Sequence, residues 1–133
     1  MSIAPLSIKS TKTTPEVQFQ NGSLAMRGES FPEDAPEFYK RLVVWMDGYS
    51  RTEYALDKTK YTAFTSKINF FNTASRGFLL EMVSILNRIY ATGHKVIITW
   101  YYDAEEGIDE DDINFKELID DFQVPVEYKP YTE

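Results

Sequence analysis

The chain has 133 residues, of which 43% are hydrophobic and 15% aromatic, and this is typical of one globular domain, residues 1–133. It has no cysteine and one histidine, His94, which excludes disulfides, thiolate catalysis, cysteine-ligated zinc and two-histidine metal sites. No apolar run approaches the roughly 20 residues that span a bilayer, and the first ten residues lack a signal-peptide core. We therefore expect a cytoplasmic protein without membrane insertion.

The net charge of −7 argues against a general nucleic-acid binder, because contact with phosphates requires a basic surface. Ten of the 21 acidic residues lie between Asp103 and Asp121 together with a single lysine, and we call this range the acidic segment. Its spacing lacks the glycine and glutamate of a calcium-binding EF-hand loop, so we predict no metal site there. Two interpretations stay open: a solvated acidic face, or a surface that steers a basic partner toward the protein.

The first predicted elements are two strands, Thr14–Gln20 and Ser23–Arg27, in which apolar and polar residues alternate. Asn21-Gly22 between them is a strong hairpin signal, because both turn positions require positive φ. Residues 28–32, Gly-Glu-Ser-Phe-Pro, are expected to break the second strand.

An amphipathic helix is predicted from Pro36 to Tyr49, with Asp34 as its N-cap, since apolar side chains recur there every three or four residues. Residues 50–60 are polar and predict a loop. Alternation of apolar and polar residues resumes from Tyr61 to Phe71 and predicts the next strand.

The clearest helix is Ser75–Tyr90, which has a continuous apolar face and is ended by Gly93. Lys95–Tyr102 is a run of β-branched and aromatic residues, typical of a strand covered on both faces. A helix over residues 111–122 and a short strand over 124–128 complete the chain.

The order of elements is ββαβαβαβ, which predicts an α/β fold with a single mixed β-sheet of about five strands, an N-terminal β-hairpin and three helices. The central β-α-β part requires parallel strands joined by right-handed crossovers. The hairpin adds an antiparallel edge to this parallel part.

The most informative stretch is Asn72-Thr73-Ala74-Ser75, which separates a strand from a helix. It puts Thr73 at the carboxyl end of the strand, the edge at which ligands and partners meet open α/β sheets. The helix start presents free N–H groups and partial positive charge, which would stabilise a phosphate added to an exposed hydroxyl. Asn72, Thr73 and Ser75 are also good N-cap residues, so capping is an alternative explanation, and one residue can serve both purposes.

Five blocks of sequence, taken in order, resemble the SiaC family of bacterial regulatory phosphoproteins over about residues 8–131. The blocks are residues 13–17 (Thr-Thr-Pro-Glu-Val), 27–33, 72–75, 93–96 and 99–103. The family usually has serine where Ala74 stands. The resemblance therefore leaves Thr73 as the phosphorylation site that matches the family, with Ser75 as a second candidate.

The resemblance implies a non-enzymatic switch that needs no cofactor. A serine/threonine kinase would phosphorylate Thr73, and a PP2C-type phosphatase would remove the phosphate. The unphosphorylated form would bind and activate a diguanylate cyclase, a GGDEF protein, and so raise cyclic di-GMP and favour biofilm formation or aggregation. The residues expected to contact partners are Asn72, Thr73, Ser75, Arg76, Phe71 and Glu29.

The sequence is also compatible with two other functions. A strand followed by Asn, a hydroxyl residue and a helix is an arrangement that also resembles STAS-type anti-sigma factor antagonists. Those proteins control transcription by partner switching. A small enzyme using carboxylates of the acidic segment is the third hypothesis, but no nucleophile, base or cofactor motif accompanies them. His94 has no triad spacing, and we expect it to cap the preceding helix or to lie at the surface.

Overall fold

A six-stranded mixed sheet is the frame of the protein in the computed structural model, which describes residues 3–105 and 110–132. The strands are β1 Leu6–Ile8, β2 Glu16–Gln20, β3 Ser23–Ser30, β4 Tyr61–Phe71, β5 Lys95–Asp103 and β6 Val126–Tyr131. They are neighbours in the sheet in the same order as in the chain. Strand β2 is antiparallel to its neighbours β1 and β3, and β3 to β6 are parallel.

The described helices are α1 Ala35–Tyr49, α2 Glu53–Leu56, α3 Thr73–Ala91 and α4 Glu110–Asp120. Helix α3 packs against α1, α4 and β5. Asp34 caps α1 as predicted, because its carboxylate accepts a hydrogen bond from the backbone N–H of Glu37 at 3.1 Å. None of these helices is long and apolar enough to cross a bilayer.

The core lies between one face of the sheet and the helices. Burial alternates along the strands: Phe64 and Ile98 are buried against helix residues such as Leu42 and Leu86, while the next residues along each strand are more exposed. The prediction that β5 is covered on both faces was wrong, since Ile97 is 45% exposed. The other side, which we call the uncovered face, is open to solvent.

The mixed α/β sheet with its N-terminal hairpin is confirmed, and two small elements are additional. Strand β1 has three residues and α2 has four, so neither is long enough to show a period in the sequence. The predicted break at residues 28–32 was wrong in part, because β3 continues to Ser30. The irregularity is a register shift between Gly28 and Glu29, and Gly28 has φ +118°, which favours glycine.

His94 is buried, 1% exposed, so the prediction of a capping or surface position was wrong. Its Nδ1 lies 2.7 Å from the carbonyl of Asp57 and must donate, and its Nε2 lies 2.7 Å from the hydroxyl of Thr62. That hydroxyl lies 2.7 Å from the hydroxyl of Tyr49, which accepts the backbone N–H of Gly22 at 3.0 Å. This series of hydrogen bonds joins the hairpin turn, α1, β4 and the start of β5 at the amino end of the parallel strands.

Candidate functional site at the start of helix α3

Thr73 is the first residue of α3 and is exposed. The N-cap is Asn72, whose side-chain oxygen accepts the N–H of Ser75 at 2.9 Å. The Thr73 hydroxyl makes no hydrogen bond to any of the described residues. Capping is thus done by Asn72, and the neighbouring hydroxyl is left free at the carboxyl end of β4.

Ser75 has a different environment, because it is completely buried. Its hydroxyl accepts a hydrogen bond from the hydroxyl of Ser30 at 2.8 Å and donates to the carbonyl of Ser30 at 3.1 Å. Since Ser30 donates to Ser75, the hydroxyl of Tyr39, at 2.6 Å, donates to Ser30. We call these three residues the hydroxyl cluster. A kinase or partner would reach Ser75 only if the start of α3 opened.

The hydroxyl cluster ties the start of α3 to β3 and to α1. Burial raises the pKa of Tyr39, although its hydrogen bonds to Ser30 and Ser75 act in the opposite direction, so its hydroxyl stays protonated at neutral pH. The ring of Tyr39 also stacks on Phe78 of α3, with centroids 5.3 Å apart. Thr73 is therefore held on a rigid helix start.

The two phenylalanines that precede the site in the sequence differ in burial. Phe71 is partly buried, with its ring 5.0 Å from Phe115 and 6.3 Å from Trp100. Phe70 is 52% exposed and meets the ring of Phe31 edge-on at 5.8 Å. Phe71, which was predicted to contact partners, thus packs inward, whereas Phe70 is exposed and Phe31 is partly exposed.

The predicted charged residues lie at the same edge of the sheet. Glu29 is exposed and is the Cα partner of Phe70 across the β3–β4 pair. Arg76 is partly exposed, forms no ion pair with a described residue, and lies three positions after Thr73, which places it on the same side of α3. The first turn of α3 has no acidic residue, so positive charge predominates at the helix start.

No group of His, Asp or Glu able to hold a metal ion occurs among the described residues. The acidic segment lies partly outside them, since residues 106–109 are not described. Where it is described, a carboxylate oxygen of Asp103 accepts the backbone N–H of Glu105 at 2.8 Å.

Comparison with known proteins agrees with this arrangement. The model of the family described as "SiaC family regulatory phosphoprotein" matches residues 8–131. The chain belongs to the SiaC family. An uncharacterized protein of Pseudomonas aeruginosa strain UCBPP-PA14 is similar to this SiaC-family chain, with 25% identity over 103 residues, 76% of this chain and 78% of that protein.

Two crystal structures from Pseudomonas aeruginosa share the fold. Apo-SiaC aligns with a TM-score of 0.78 and 23% identity, covering 96% of this chain and 99% of that one. The second structure is the diguanylate cyclase SiaD in complex with its activator SiaC, and it aligns with a TM-score of 0.77 and 23% identity, covering 95% and 99%. The six-stranded sheet with helices on one face is thus the SiaC fold.

Sequence reasoning did not find the hydroxyl cluster. Ser30 and Ser75 are 45 positions apart, and no local pattern links them. The contact between Phe31 and Phe70 was also not predicted. The available signal was that Phe70 falls on the opposite side of β4 from Phe71, but which side is open depends on where the helices pack.

Proposed function

We propose that this SiaC-family protein is a non-enzymatic switch that binds and activates a diguanylate cyclase while Thr73 is unphosphorylated. The observation that carries the proposal is the free, exposed hydroxyl of Thr73 on the first turn of α3, in a chain of a regulatory phosphoprotein family. Support for the partner class comes from the complex of Pseudomonas aeruginosa SiaC with the cyclase SiaD, whose SiaC chain has this fold.

Phosphorylation of Thr73 would change the surface in charge more than in shape. A phosphate adds about −1.5 to −2 charges and three acceptor oxygens at neutral pH. The partly exposed rings of Phe31 and Phe70 give the same edge an apolar component. A partner that packs on these rings would have to desolvate the phosphate, which costs several kcal/mol, whereas tenfold weaker binding needs only about 1.4 kcal/mol.

The free protein would tolerate the phosphate well. At Thr73 it would lie beside the unpaired N–H groups of the helix start and near Arg76, and both favour an anion. The phosphorylated state would therefore be a stable, folded form that has lost its partner. We propose that a serine/threonine kinase and a PP2C-type phosphatase set its level, acting in the cytoplasm, where nucleoside triphosphates are available to kinase and cyclase.

The test starts with capture of partners from the native host, using wild-type protein, Thr73→Ala and Thr73→Glu as baits. We expect a diguanylate cyclase with the first two baits and not with the third. The purified cyclase is then titrated by calorimetry, and its cyclic di-GMP output is measured with each variant. Thr73→Glu should weaken binding at least tenfold, and protein with phosphothreonine incorporated at position 73 should weaken it further.

The matched control is Ala91→Glu, which adds the same charge to an exposed position at the other end of α3. It should leave binding and cyclase output unchanged. Equal affinity of the cyclase for wild-type and phosphorylated protein would refute the switch. Capture of an anti-sigma factor in place of a cyclase would refute the partner class.

A further inference from the structure

The uncovered face of the sheet contains a cationic pocket that is separate from Thr73. Its volume is about 250 Å³, and its lining residues are Arg27, Gly28, Lys67, Asn69, Tyr131 and Thr132. They come from β3, β4 and the end of β6. Residues Met26 and Ile68, next to the two cations in the chain, are buried toward the helices, so Arg27 and Lys67 project to the opposite side from α3.

Strand register brings the two cations together. Arg27 and Lys67 are Cα partners in the parallel β3–β4 pair, so their side chains stand side by side on one face. Two like charges placed directly opposite each other destabilise a sheet unless an anion compensates them. Gly28, which also lines the pocket, has a positive φ that favours glycine.

Ion pairs with the described residues do not involve either cation. No described carboxylate lines the pocket that contains Arg27 and Lys67. Glu16 is the Cα partner of Arg27 in the neighbouring strand, yet no ion pair joins them. Glu127, on the neighbouring part of the face, is paired with Lys129 at 3.4 Å.

The ammonium group of Lys67 is held in place by two aromatic rings. Its Nζ lies 5.0 Å from the ring centre of Tyr101 and 5.9 Å from that of Tyr131. These two rings contact each other edge-to-face, with centroids 6.4 Å apart. Cation–π contact restricts the side chain, so a ligand would bind a group that has already lost part of its conformational freedom.

We propose that this pocket binds the phosphate group of a small phosphate monoester. A guanidinium fork, an ammonium group and the side-chain amide of Asn69 supply donors to several oxygens of one doubly charged group. A carboxylate has one charge and two oxygens, and would leave part of this set unused. The volume exceeds that of a bare ion but is at the small end for ligand pockets, which matches a short ester.

The test is a titration of ¹⁵N-labelled full-length protein, followed by amide chemical shifts at constant ionic strength. Ribose 5-phosphate, inorganic phosphate, ribose and sodium chloride are the probes. We expect saturating shifts centred on Arg27, Gly28 and Asn69 with ribose 5-phosphate, and binding at least as tight as that of inorganic phosphate. Ribose and chloride should give no saturating shift.

Charge-removing variants decide whether the pocket is responsible. Arg27→Gln and Lys67→Gln should each weaken binding of ribose 5-phosphate about tenfold, because each removes a charge-assisted contact. Lys95→Gln is the matched control, an exposed lysine of the same sheet near its other end, and should leave affinity unchanged. The spectra of the variants themselves report that the fold is intact.

Three results would overturn the proposal. They are shifts that do not saturate, equal loss of affinity in Lys95→Gln and Lys67→Gln, and binding of inorganic phosphate without binding of the ester. None of these results concerns Thr73, so the experiments test the pocket independently of the proposed switch.

Discussion

The two ends of the parallel strands contain similar side chains and use them differently. At the amino end, His94, Thr62 and Tyr49 are buried and bonded to one another. At the carboxyl end, Ser30 and Ser75 are equally buried and hydrogen-bonded, whereas the Thr73 hydroxyl, two residues before Ser75, is exposed and has no hydrogen bond to the part of the chain that the structure describes. The same chemical group, a hydroxyl, thus stabilises the fold where it is enclosed and becomes available for modification where it is left free.

The difference also shows how an exposed hydroxyl can be presented at a helix start without a role in holding the fold together. Asn72 takes the capping role, and the hydroxyl cluster anchors the first turn of α3. We therefore expect Thr73 to contribute little to stability, and the proposed phosphorylation to leave the scaffold unchanged. A buried polar network beside an exposed free hydroxyl separates the two tasks.

The largest effect is expected at the amino end, for His94→Ala. The substitution removes the His94 hydrogen bonds to the Thr62 hydroxyl and the Asp57 carbonyl, so Thr62 keeps only Tyr49 as a partner, and it also creates a cavity. It should lower the free energy of unfolding by about 3 kcal/mol. Urea unfolding measures this change. Lys95→Ala, the exposed neighbour, should change it by less than about 0.5 kcal/mol. A loss below about 1 kcal/mol for His94→Ala would remove the contrast between the two ends.

The next effect separates two adjacent phenylalanines at the carboxyl end. Phe71→Ala should cost about 2 kcal/mol of unfolding free energy, because its ring packs on Trp100 and Phe115. Phe70→Ala should cost less than about 1 kcal/mol of unfolding free energy and yet weaken cyclase binding about tenfold. Urea unfolding and calorimetry on both variants test this. The reverse outcome, with Phe71→Ala weakening binding more, would place the partner contact on the residue that the sequence singled out.

Ser30→Ala should have an intermediate effect on the free energy of unfolding. It tests whether the hydroxyl cluster anchors the helix start that contains Thr73. The substitution removes the donor to Ser75 and the acceptor for Tyr39, and both of these residues are buried. It should lower the free energy of unfolding by about 2 kcal/mol. A double-mutant cycle with Ser75→Ala should give a coupling of about 1 kcal/mol, because the two side chains share one hydrogen bond. Additive effects in unfolding experiments would mean that the cluster does not act as a unit.

The smallest effect concerns alkaline pH. Burial raises the pKa values of Tyr39, Tyr49 and Tyr128 above the ordinary value of 10.0, and for Tyr128 the charge of Asp120 adds to this. Since these tyrosines hold their protons more tightly in the folded state, their contribution to stability is complete below pH 10 and is lost as pH rises above it.

Tyr128→Phe isolates one of these groups, because the Tyr128 hydroxyl has no hydrogen-bond partner among the described residues. The variant should match wild type at pH 7. Between pH 7 and pH 11, its free energy of unfolding should fall by at most about 1 kcal/mol less than that of wild type, because solvent screens the partly exposed side chain. Urea midpoints measured from pH 8 to pH 11 check this. Parallel pH curves for the two proteins would contradict it.

The sequence by itself determined the local features of this protein. Asn21-Gly22 requires a tight turn, alternation identifies β2 to β4, and the step from Phe71 through Asn72 to Thr73 marks a strand end and a helix start. These features depend on backbone preferences and on neighbours within a few residues, so one stretch of chain contains the whole signal. For the same reason the SiaC resemblance could be found from short blocks.

Only the tertiary structure decided which groups are enclosed. Whether β5 is covered on one face or two depends on where the helices pack, and this leaves Ile97 exposed. The burial of His94 and the pairing of Ser30 with Ser75 depend on residues more than 30 positions away. The pairing of Arg27 with Lys67 likewise depends on strand register. Burial and pairing are properties of several segments together, because each segment desolvates groups on the others, and no single stretch contains that information.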